Sequence, residues 1–159
     1  MDQDAFRKTY HEVNERFCAF EKAILTQQCQ CSEAHKFCIA EREGVHCNSD
    51  AGQQQCLLLL EVLRTRARFA LRATSEDQKN LLPHGKAIRI QVGGLRGLHL
   101  ALNPEEEIPL RIENVIDLVS RTINHFGGLD ELPFSLIMQQ ISAYQSRTRS
   151  RRSRKKDPP

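Results

Sequence analysis

Six cysteines are the residues of this 159-residue chain best suited to chemistry, and all of them fall between positions 18 and 56. The densest part runs Cys29-Gln-Cys31-Ser-Glu-Ala-His35-Lys-Phe-Cys38 and continues through Val45-His46-Cys47. Four thiols and two imidazoles within so short a run point to a metal ion, an iron–sulfur cluster or thiol redox chemistry. Four thiolates satisfy tetrahedral zinc, or the irons of a cluster. The expected ligands are Cys29, Cys31 and Cys47, with Cys18 or Cys38 as the fourth. A C-x1-C pair is less usual for zinc, whose ligand pairs stand two to four residues apart. It suits a cluster better, because bridging sulfides let the protein sulfurs sit further apart. No C-x-x-C motif occurs, which weighs against a thioredoxin-like site.

Cys18 can join the others only if the chain reverses after about residue 25, and Gln27-Gln28 leaves room for that reversal. Cys56 lies on the apolar seam of its own segment and reads as a core residue. Cys31→Ala and Cys47→Ala are therefore expected to abolish metal retention, and Cys56→Ala to cost packing alone. His35 and His46 read as solvated side chains beside the site. His11, His84, His99 and His125 are too dispersed to form one.

The elements that must position these thiols follow from apolar periodicity. Residues 4–27 carry Phe6, Tyr10, Val13, Phe17, Phe20 and Ile24 at steps of three and four, an amphipathic helix. Cys18 projects to one flank of that stripe. Ser32, as an N-cap, opens a short helix over about 33–43 that stops at Gly44. Ser49 or Asp50 caps a longer one over 51–73, with Cys56, Leu60, Leu63, Ala67 and Leu71 on its seam. From Lys86 the period changes to two: Ile88, Ile90 and Val92, then Leu98, Leu100 and Leu102, predict a hairpin around 93–97. Pro109 opens a helix with the seam Ile112, Ile116, Val119, Ile123 and Phe126, ended by Gly127-Gly128. A last helix carries Phe134, Ile137, Ile141 and Tyr144.

The expected fold class is α+β and predominantly helical: amphipathic helices packed with one β-hairpin, in a single domain over 1–146 whose Cys-rich segment spans 18–56. Hydrophobic content of 40% and charge of 27% fit such a domain. No run of 18 apolar residues exists, so no membrane partner is expected. The N-terminus shows no secretory leader, which places the chain in the cytoplasm and favours free or metal-bound thiols over disulfides.

Residues 147–159 bury nothing and read as a disordered basic tail. Arg147, Arg149, Arg151, Arg152, Arg154, Lys155 and Lys156 give it seven cations, leaving residues 1–146 mildly acidic against a net +3 for the whole chain. Such a tail suits phosphate contacts of a sequence-independent, salt-sensitive kind, and its serines could be phosphorylated. Gly93-Gly94-Leu-Arg-Gly97 is no dinucleotide fingerprint, Glu105-Glu106-Glu107 reads as a solvated turn, and no nucleophile elbow or H-E-x-x-H occurs. The sequence therefore predicts an iron–sulfur or zinc protein acting with a protein partner, as an accessory, electron-transfer or assembly factor rather than a stand-alone enzyme. The competing class is a nucleic-acid-binding or regulatory protein with a structural zinc and the basic tail as its contact.

Overall fold

In the computed structural model, residues 2–72 and 83–144 are described. The described elements run α1 (Gln3–Val13), α2 (Glu21–Leu25), β1 (Ala34–Ile39), β2 (Arg42–Cys47), α3 (Asp50–Arg72), α4 (Pro83–Leu102), α5 (Val115–Phe126) and α6 (Phe134–Ala143), with one 3-10 turn at Leu129–Glu131. Among the described residues the class is that expected, helical α+β with one antiparallel hairpin. The hairpin, however, lies in the Cys-rich segment and not around Gly93.

Three expected elements take another form, and the helix expected from Pro109 starts later. The first concerns residues 4–27, which do not form one helix. Asn14 ends α1, its N–H bonded to the Tyr10 carbonyl and its side-chain amide to the Val45 carbonyl at 3.0 Å. The chain then runs extended past β2, Phe17 pairing antiparallel with His46. Val13 and Phe17 stay exposed, so the apolar stripe is not a continuous buried seam.

The second concerns 33–43, a strand pair rather than a helix. Ile39 pairs with Arg42 across a two-residue turn in which Ala40 takes a left-handed φ of 54°. Alanine tolerates that region poorly, so the turn carries no glycine or asparagine signal. Gly44, read as a helix stop, lies opposite Phe37 instead, and a Cβ there would run into the Phe37 ring.

The third concerns 86–102, which is the helix α4. It packs against α6, α5, α3 and α2, and its buried residues include Gln91, Val92, Gly93, Gly94, Leu95, Gly97 and Leu98. A helix covered on several sides loses the one-sided 3.6 period, and what is left can mimic alternation. Gly93 and Gly97 stand one turn apart against α6. Added Cβ atoms would meet the α carbons of Ile141 at 2.6 Å and Ile137 at 2.8 Å.

The later helices follow their caps. The Ser49 hydroxyl accepts from the Gly52 N–H at 2.9 Å, opening α3. α5 begins at Val115 rather than Pro109 because Ile112 is spent in a strand-like pairing with Cys29. Gly127, at φ 90°, closes it with its N–H on the Ile123 carbonyl. The core joins Phe20, Ile24 and Val45 of the N-terminal part to Leu59, Leu60, Leu63, Leu95, Leu98, Val119, Ile137 and Ile141 of the helical part. Among the described residues no helix is long and apolar enough to cross a membrane. The basic positions Arg147 to Lys156 lie outside the described residues.

Candidate metal centre

Four thiols, Cys18, Cys31, Cys47 and Cys56, line one cavity of about 20 Å³ beneath Phe20, Val115 and Ile116. That is room for a particle the size of a water molecule. Each thiol arrives on a different piece of backbone.

Cys18 and Cys47 come from adjacent strands. The Cys18 N–H donates to the Val45 carbonyl at 3.0 Å and the Cys47 N–H to the Arg16 carbonyl at 2.7 Å, so residues 16–18 act as a third strand beside β2. In that register Cys18 stands opposite Val45, and Cys47 two residues on shares its face. Ala34, paired with Cys47 on the other side, lines the cavity as well.

Cys31 hangs from a second ribbon. Ile112 N–H donates to Gln28, Gln30 N–H to Ile112 and Val115 N–H to Gln30, while Ser32 N–H takes the Asn114 side chain at 3.1 Å. The chain reverses to reach it: α2 stops at Leu25, and Gln27 turns with a φ of 63°. Cys56 comes from α3, one turn after Gly52. A side chain at 52 would press on Ile116 and Ser49, so glycine keeps that wall thin.

The sulfurs share an electrostatic environment. Burial pushes the Cys18 thiol well up, and negative charge on Cys31, Cys56 or Cys47 would raise it further; the Phe20 N–H directed at its sulfur opposes this. Burial likewise pushes Cys56 up to about 12, followed by the influence of Cys31 and Cys47. Both are neutral thiols at pH 7 unless a cation replaces their protons. All six cysteines are free. The Cys47 sulfhydryl donates to the Ser49 carbonyl at 3.3 Å. As the side chains stand, no group of three or more His, Cys, Asp or Glu among the described residues could hold a metal ion.

Of the expected ligands, Cys18, Cys31 and Cys47 reach the cavity, and Cys29 and Cys38 do not line it. Cys29 is 1% exposed and packs in the core; burial raises its thiol to about 12, Cys31 adds to this and Arg111 opposes. Cys38 is exposed near the turn of the hairpin, opposite Glu43. At about 3.3 Å per residue, four residues of strand separate its row from that of Cys47 and Ala34. Cys56 is buried in the core as its periodicity predicts, at 8% exposure, and with Gly52 it also lines the cavity of the other thiols. Only the shared concentration of all six cysteines in 18–56 hinted at it. His46 is turned away from the cavity face, its Nδ1 2.9 Å from the Asn14 side-chain oxygen, and His35 is exposed on β1.

Comparison of the chain with protein-family models, curated proteins and solved structures found no match.

Proposed function

We propose that this chain carries a thiolate-held metal centre, an iron–sulfur cluster or zinc, with Cys18, Cys31, Cys47 and Cys56 as its ligands. The observation that carries the reading is the convergence of four thiols from four separate backbone segments on one cavity. Buried free cysteines are common, but they scatter through cores as small hydrophobes. Two-thirds of this chain's cysteines instead line one cavity, where, beyond burial, the neighbouring thiols make Cys18 and Cys56 costlier to ionise. A thiophilic cation removes that cost by taking the place of the protons. The four proposed ligands are all sulfur, though Glu33 also lines the cavity, and thiolates suit zinc or iron rather than magnesium or calcium. Zinc would tie the N-terminal ribbons to α3. A cluster, larger than the present cavity, would need the wall of Phe20, Val115 and Ile116 to open around it before adding one-electron chemistry. Either way the chain is an accessory, electron-transfer or assembly factor, working in a compartment that keeps thiols reduced.

The test is purification without oxygen, followed by a visible spectrum and analysis for iron, zinc and acid-labile sulfide. Brown protein with matched iron and sulfide supports the cluster. Colourless protein with one zinc supports a structural centre and turns attention to the cations from Arg147 to Lys156. Protein that retains neither metal, even after reconstitution, overturns the reading.

A further inference from the structure

A polar network on the far side of β2 decides where Cys18 and Cys47 sit. Glu21 is a half-buried carboxylate that receives the Val45 N–H at 2.8 Å and the Tyr10 hydroxyl at 2.9 Å. The Tyr10 oxygen in turn accepts from the Asn14 amide at 3.0 Å. That same amide donates to the Val45 carbonyl at 3.0 Å, where the Cys18 N–H also ends. Asn14 Oδ1 is left to His46 Nδ1, which must then carry the proton. Both polar groups of Val45 are thus held, one by Glu21 and one jointly by Asn14 and the backbone of Cys18. Val45 is fully buried and lies two residues before Cys47.

We infer that Glu21 is a positioning residue for the thiol site: through Val45 it fixes the strand register that brings Cys18 beside Cys47. The inference rests on the metal-centre reading for its purpose, and on the hydrogen bonds alone for its geometry. Among the described residues Glu21 has no ion-paired partner. Burial raises its carboxyl, against the pull of the Val45 N–H, the Tyr10 hydroxyl and Lys22. An apolar side chain of similar size would leave both the Val45 N–H and the Tyr10 hydroxyl without this acceptor. A carboxylate earns its place where two donors must be held in fixed directions at once. Glutamine keeps an acceptor for Val45 and can still meet Tyr10 through its amide, whereas alanine leaves the Val45 N–H without a partner.

The experiment compares full-length wild type, Glu21→Gln and Glu21→Ala. In metal-free protein, alkylation of each cysteine is timed by mass spectrometry, with Cys29 and Cys56 as controls inside the same molecule. Glu21→Ala is expected to speed alkylation of Cys18 at least tenfold relative to both controls, and Glu21→Gln to stay within threefold of wild type. In metal-loaded protein, Glu21→Ala is expected to release the metal to a chelator at least tenfold faster. An unchanged Cys18 ratio, or all three thiols rising together, would show ordinary loosening and overturn the positioning role. If wild type takes up no metal, the proposed function fails while the alkylation ratio still decides this one.

Discussion

Cys29→Ala and Cys56→Ala separate a thiol that fills a core from one proposed to hold a metal. Both residues are buried, at 1% and 8% exposure. In metal-free protein each substitution removes one buried sulfur, a packing loss of about 1 kcal/mol. That cost should be no smaller for Cys29, the more enclosed of the two. With metal bound the two part company. Structural zinc sites of four ligands contribute about 10–16 kcal/mol at pH 7. An equal share for one ligand is about 3 kcal/mol, or two decades of affinity. Cys56→Ala should therefore weaken metal retention about 100-fold, measured by competition with a chromophoric chelator or by iron retained after dialysis against one. Cys29→Ala should change retention by less than about threefold, while urea unfolding of the metal-free forms gives similar losses for both. Equal metal loss in the two variants would refute the assignment of Cys56 over Cys29. So would full retention in Cys56→Ala.

Further outcomes follow from the same geometry. Gly93→Ala should destabilise by about 1–3 kcal/mol in urea titrations, because the new Cβ meets α6 backbone and overpacking exceeds the roughly 1 kcal/mol gained in helix propensity. Gly94→Ala should come close to neutral, since its nearest neighbour is the tip of the Leu63 side chain. Metal-free protein should lose stability in alkali. Cys29 and Cys56 hold their protons to about 12 when folded, against an ordinary 9, so the unfolded chain ionises first and their stabilising effect fades between those values. A flat unfolding midpoint from pH 8.5 to 11 would contradict this. In the same metal-free protein Cys38, exposed on the hairpin, should react first with a thiol reagent and Cys29 last; the reverse order by peptide mapping would be inconsistent with the fold.

Local chemistry made much of this legible in advance. Ser49 at the start of α3 and Gly127 at the end of α5 announced their boundaries because a cap is a property of a few adjacent residues. The apolar seams of α3 and α6 were equally plain, since each helix hides one face. α4 was misread because it hides several, and its glycines serve close contact with α6 where a turn was expected. The hairpin of β1 and β2 went unseen because its turn uses Ala40 in a left-handed conformation that no residue type advertises.

What the sequence determined by itself is where the thiols lie: all six fall within positions 18–56. Which thiols meet was decided by tertiary structure. Strand pairing chose Cys18 and Cys47, the ribbon with residues 112–115 brought Cys31, and the packing of α3 presented Cys56. Spacing along a chain reports proximity only within one element. The distance between elements is set by hydrogen bonds and burial that join residues far apart in sequence.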